Sequence, residues 1–190
     1  MVFLGIGLGL GISIAVVVLA AIIFIAYYNR FAILGNRIDN SLAQIDVQLR
    51  KRADLVPNLI NTVKGYAKHE KSTLTELTKA RTSFLNAGSD MGKKARAGNQ
   101  MQEALKSIFA VAENYPQLRA NENFLQLQQE LSAIEDKVAY SRQYYNDSIL
   151  SYNNSSRTFP GVFFFKLYGF KEKPYLEIPA EARAVPKVEF

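Results

Sequence analysis

The chain has 190 residues, a formal net charge of +6, no cysteine and one histidine. These values exclude a disulfide framework, a thiolate metal site and a lipid-modified cysteine, so stability has to come from packing. The basic excess suits an anionic membrane surface better than nucleic acid, because basic and acidic residues are mixed along the chain and form no stripe with interleaved aromatics.

Residues 2–28 carry no charged side chain and are dominated by Leu, Ile, Val and Phe. At about 1.5 Å per residue such a helix is about 40 Å long, against a hydrocarbon core of about 30 Å, so it crosses a bilayer with some tilt. Tyr27 and Tyr28, just before Asn29 and Arg30, are placed for the headgroup layer. Met1, Val2 and Phe3 supply no basic side chain and Ala20-Ala21 is followed by more apolar residues, so the segment is expected to be a retained anchor and not a cleaved leader. Arg30 and Arg37 follow the span and nothing basic but the α-amino group precedes it. The positive-inside tendency therefore predicts an outside amino terminus and a cytoplasmic body.

Gly5, Gly7, Gly9 and Gly11 fail the G-x-G-x-x-G spacing of a phosphate loop and follow no strand. Gly5 and Gly9 share one helix face, and Gly7 and Gly11 share a roughly opposite one. They form the expected transmembrane oligomer interface, since two close-contact faces per subunit allow a ring or array. Glycine merely tolerated within a span is the alternative.

From Ile38 the apolar positions keep a seven-residue repeat through Leu42, Ile45, Leu49, Val56, Leu59, Val63 and Tyr66, which predicts a long helix over 29–67 with a narrow packing seam. Pro57 should kink this helix without ending it, because the pattern resumes unchanged. A second helix is predicted over 73–87 (Leu74, Leu77, Phe84, Leu85) and a third over 99–114 (Met101, Leu105, Ile108, Phe109, Ala112). The clearest loop signals are residues 88–92 and Ala97-Gly98-Asn99. A fourth helix is predicted over 116–155, with Pro116 in its first turn. Its apolar positions are Phe124, Leu127, Leu131, Ile134, Val138, Tyr145, Ile149 and Tyr152, and Glu130, Glu135, Asp136, Lys137 and Arg142 lie between them on the expected solvated face.

The expected fold is all-α: one transmembrane helix (1–28) continuing into an elongated antiparallel bundle of two long and two short helices (29–156), then an irregular aromatic tail (157–190). If successive helices run antiparallel, the fourth returns to where the first left the bilayer. The tail aromatics Phe163, Phe164, Phe165, Tyr168 and Phe170, with flanking lysines, then form a membrane-interfacial segment or cap the end of the bundle.

Asp46, Arg50, Arg52 and Asp54 form a polar cluster on the first long helix. Asp46 and Arg50 are spaced to pair across one turn. Arg52 occupies a seam position where a charge needs a partner, for which Glu130 or Glu135 of the fourth helix, or a neighbouring subunit, are the candidates. The cluster sets helix register or belongs to a partner-binding surface. His69 adjoins Glu70, but sequence neighbours on a helix point apart and no second histidine completes a metal site, so a loop or helix-end position is expected. No catalytic residue, cofactor or metal is expected.

Gln44 through Leu59 (QIDVQLRKRADLVPNL), continued by Val63-Lys64-Gly65-Tyr66-Ala67 and His69-Glu70, resembles the LemA family. Ala80-Arg81, Tyr115-Pro116, Asn123 through Leu127, Glu135, Arg142, Tyr145-Asn146 and Gly169-Phe170 extend the likeness over almost the whole chain. The resemblance implies a membrane-anchored helical bundle from bacteria, with no catalytic residues to carry over; a magnetosome-associated member links the family to internal membranes. The resulting expectation is a non-enzymatic inner-membrane scaffold that associates with itself and shapes or organises the bilayer. The alternative is an adaptor or sensor for another membrane protein, such as a protease or signalling kinase.

Overall fold

The computed structural model describes residues 2–67 and 70–176, so His69 lies outside the described residues. These residues are all-α, with α1 (Val2–Tyr66), α2 (Lys71–Asn86), α3 (Met91–Ala112), α4 (Pro116–Arg119), α5 (Glu122–Arg157) and α6 (Gly161–Leu167). The chain divides into two units, Met1–Asp39 with Tyr145–Phe190, and Asn40–Tyr144.

In the Asn40–Tyr144 unit the seam of α1 is buried as its repeat requires: Ile45, Leu49, Val56, Leu59 and Val63 are closed off from solvent, whereas Tyr66 is exposed. Leu77 and Phe84 of α2, Met101 and Ile108 of α3, Leu118 of α4 and Phe124 and Val138 of α5 complete the core. Leu85 of α2 is exposed, because it sits beside Phe84 and so faces away from the interior. Side-chain pairings fix the helix directions. Arg52 meets Glu135 while Tyr66 meets Asn121, so α1 and α5 run in opposite senses here. Asn99 pairs with Arg142 and Phe109 with Phe124, which sets α3 antiparallel to α5 as well.

Three expectations need correction. The third helix begins at Met91 and passes through Ala97-Gly98-Asn99, which form no loop. Asp90 caps it by accepting the Lys93 amide at 3.0 Å, while the turn is made at Gly88, whose φ of 58° suits glycine. The fourth helix is not continuous from Pro116: a short α4 ends at Arg119, and α5 restarts where Asn121 accepts the Phe124 amide at 3.0 Å. The tail is not irregular throughout, because it contains α6.

Pro57 leaves α1 unbroken, as its flanking periodicity requires. Proline has no N–H to offer the carbonyl four residues back, which belongs to Ala53. Arg81 of α2 supplies the donor instead, its Nε lying 2.8 Å from Ala53 O.

In the other unit, the apolar part of α1 is long and apolar enough to cross a membrane and none of its most apolar stretch is buried. Further along, Phe31 is 1% exposed and is packed by Tyr152 of α5 and by Phe165 and Phe170. Gly161 begins α6 where a Cβ would stand 2.1 Å from the Ser155 carbonyl oxygen, so only glycine fits that approach. Helix α6 closes with a Schellman turn: Gly169, at φ 69°, donates to Lys166 O, and Phe170 donates to Phe165 O. Beyond it the chain is held along α5. The Asn153 amide donates to Lys173 O and accepts from Lys173 N, Tyr145 Oη donates to Pro174 O, and Arg157 grips Glu172 through two bonds of 2.8 and 2.7 Å.

Candidate functional site

Two clusters of side chains stand out, one in each unit. In the Asn40–Tyr144 unit, Arg52 is 1% exposed and its guanidinium pairs with Glu135, whose side chain is 33% exposed. A second guanidinium nitrogen, Nη1, donates to Gly98 O at 3.2 Å. This contact depends on close helix packing, since a Cβ at Gly98 would lie 2.7 Å from Leu49 Cδ2. Arg142 stands nearby and donates to Asn99 Oδ1 at 2.8 Å. Burial pushes the Arg52 guanidinium down from its ordinary range, Glu135 opposes that, and the like charge of Arg142 adds to it. Arg142 is likewise lowered by burial, with Glu135 again opposing. One carboxylate thus compensates a buried arginine, Arg52, and a half-buried one, Arg142.

A cleft of about 210 Å³ opens beside this group, lined by Arg52, Gln102, Leu105, Phe109 and Glu135 among others. Asp46 does not pair with Arg50 as its spacing allows. Its carboxylate accepts from Lys94 Nζ at 2.6 Å, because Lys94 is 8% exposed and has to be compensated there. Lys94 also lies over the Phe84 ring, 5.8 Å from its centroid. Arg50 and Asp54 are exposed, so of the four cluster residues only Asp46 and Arg52 join the interior network.

Glu135 is the Arg52 partner. Glu130 instead accepts from Gln126 Nε2. Glu135 and Arg142 are therefore not part of a solvated face, although they fall between apolar positions of α5. Lys94, Gly98 and Asn99 were not legible as site residues. Read as a loop signal, Gly98 gave no indication that it faces Leu49, and a lysine near a glycine carries no mark of burial.

The second cluster is aromatic. Tyr27 stacks on Phe164 with ring centroids 4.8 Å apart, Tyr28 meets Tyr168 edge-on at 5.4 Å, and Phe24 meets Tyr168 at 4.9 Å. Tyr168 Oη donates to the Phe24 carbonyl at 2.5 Å. Phe165 and Phe170 pack inward against Phe31, while Phe163 is 60% exposed and meets Phe164 edge-on at 5.4 Å. All seven aromatics singled out in the sequence are thus brought together, and Phe24, Phe31 and Tyr152 join them. Of the glycines, Gly9 and Gly11 have nothing within 4 Å of where a Cβ would stand, so both positions lie open. Gly5 and Gly7 fall within α1. Among the described residues no group of His, Asp or Glu could hold a metal ion.

The described residues thus define a class of all-α protein with paired internal charges, whose first helix is long and apolar enough to cross a membrane. Residues 41–190 match the LemA family, and the chain belongs to it. It is 26% identical over 124 residues to Protein LemA of Metamycoplasma hominis, covering 65% of this chain and 57% of that one. It is 22% identical over 175 residues to Magnetosome protein MamQ 2 of Paramagnetospirillum magneticum, covering 79% and 64% of the two chains. Magnetosome protein MamQ of Magnetospirillum gryphiswaldense is 22% identical over 179 residues, covering 80% and 66%. The chain therefore spans less than two thirds of the length of these relatives.

Proposed function

We propose that this protein is a non-enzymatic scaffold anchored in the bacterial inner membrane by α1, which associates with copies of itself and organises or shapes the bilayer. The observation that carries this reading is the exposed apolar stretch of α1, where Leu10, Val17 and Ile25 are 65%, 67% and 57% exposed. So much exposed apolar surface demands lipid or other helices around it. Open positions at Gly9 and Gly11, continuing the stripe from Gly5 and Gly7, support close approach of a second helix. Exposed Phe163 and Leu167 flanking Lys166 on α6 support contact of the aromatic cluster with the headgroup layer. Arg30 and Arg37 favour a cytoplasmic body. Similarity to proteins named for the magnetosome supports a role at internal membranes.

The mass of the full-length protein in several mild detergents tests the assembly. Oligomers that dissociate when Gly7 and Gly9 are changed to Leu support it, and a strict monomer in all detergents overturns it. Protease protection on intact cells tests the topology, where cleavage from outside reverses the assignment.

A second reading, an adaptor for another membrane protein, is favoured by a groove of about 950 Å³ with Lys64, Lys71 and Lys79 around an apolar floor of Ile60 and Leu74. Its charge and shape suit an acidic amphipathic helix. A stoichiometric foreign protein that co-purifies from native membranes and is released by charge reversal of these lysines would support the adaptor over the scaffold.

A further inference from the structure

We infer that the cleft between α1 and the end of α5 in the Met1–Asp39, Tyr145–Phe190 unit is a binding site for the headgroup of an anionic phospholipid. The cleft holds about 580 Å³ and is lined by Ala26, Asn29, Arg30, Ile33 and Arg37 of α1, with Asn154 and neighbouring hydroxyl residues of α5 opposite. Two guanidinium groups line it and no carboxylate does. Arginine forks match phosphate oxygens in pairs, and the amides of Asn29 and Asn154 bring further donors. The hydroxyls of Ser151 and Thr158 give their protons to α5 carbonyls at 2.9 and 3.0 Å, which leaves their oxygens to accept from a headgroup hydroxyl.

The position along α1 selects a lipid over a soluble phosphate. Ala26 belongs to the uncharged stretch, and Tyr27 and Tyr28 follow it at the level where aromatics settle among headgroups. Residues 22, 26, 30, 33 and 37 are spaced by three and four and share one helix face. Ile22, 58% exposed, therefore leads directly into the arginines, so acyl chains lie on the apolar stretch while the phosphate reaches Arg30 and Arg37.

This inference rests on α1 being a membrane span, and its test separates the two. The full-length protein in a neutral detergent is offered equal dioleoylphosphatidylglycerol and dioleoylphosphatidylcholine, and bound lipid is counted by native mass spectrometry. Phosphatidylglycerol is expected to be retained preferentially. Arg30→Gln with Arg37→Gln should weaken it by about fivefold for each charge removed, whereas Arg50→Gln should leave it unchanged. Equal retention of both lipids, or equal losses in the Arg30/Arg37 and Arg50 variants, overturns the site. Displacement of the lipid by stoichiometric glycerol 3-phosphate overturns the lipid assignment in favour of a free phosphate. Recovery of the chain in the membrane fraction without lipid preference sinks the site alone, and recovery as a freely soluble protein sinks the anchor with it.

Discussion

Removing Glu135 should destabilise the helical domain more than removing the arginine it serves. Arg52 is 1% exposed and Glu135 33%, so the two partners are not equivalent. Glu135→Gln leaves a desolvated guanidinium held only by the neutral oxygen of the new amide and the Gly98 carbonyl at 3.2 Å. Stranding a buried charge costs about 3–5 kcal/mol, and the retained carbonyl bond puts this case near about 3 kcal/mol. Arg52→Met, in contrast, fills the same space with an apolar chain and leaves a carboxylate that water already reaches and that keeps Arg142 close by. Its cost should stay within about 1 kcal/mol. At about 2–4 °C per kcal/mol, thermal unfolding of the full-length protein in mild detergent should fall by about 6–12 °C for Glu135→Gln and by less than about 4 °C for Arg52→Met. The double variant should melt between the two single variants, because Arg52 no longer needs a carboxylate while Arg142 still loses one. If Arg52→Met melts as low as Glu135→Gln, or the double variant melts below both, the charge is not desolvated in the way the geometry implies.

Arg81→Met should cost about 1–2 kcal/mol by orphaning the Ala53 carbonyl, and Pro57→Ala should abolish most of that penalty by restoring the N–H; an equal Arg81 effect in both backgrounds, read by denaturant titration, would contradict the proposed substitution of donors. Gly161→Ala should force α6 away from Ser155 and cost about 1–3 kcal/mol, seen as faster proteolysis after Lys166; unchanged protection would mean the close approach is not required. Asp90 is held below the ordinary aspartate range by the Lys93 amide. A depressed carboxylate contributes stability that is present above its unfolded value and lost as pH falls through its folded one, so part of the acid loss of stability should vanish in Asp90→Asn, which keeps the cap. An identical acid profile in both proteins would refute that assignment.

Periodicity carried the long-range architecture. The seam from Ile38 to Val63 and its counterpart from Phe124 to Tyr152 needed only a stripe of burial, which a repeat of three and four spells out. Interruptions were harder to read. Asn121 restarts a helix that Pro116 begins, yet its side chain differs little from the many polar residues that continue helices. Gly98 was misleading for a related reason: glycine marks both loops and close packing, and only the presence of Leu49 opposite decides between them. At the polar cluster, Arg52 was conspicuous because it broke an apolar repeat, and the carboxylates available on the fourth helix narrowed its partner. Lys94 and Arg142 broke no such repeat, and their burial arises from helix packing that no local spacing encodes.

The segment following α6 is fastened in an asymmetric manner. Asn153 and Tyr145 grasp main-chain groups of Lys173 and Pro174, so two of the three fastenings ignore what those positions carry, and only Arg157 reads a side chain, that of Glu172. The instructions for routing this strand are consequently written on α5. Position 173 can drift to almost any residue in descendants of this chain with the path conserved, whereas a single change at Asn153 would erase both hydrogen bonds of its fastening at once.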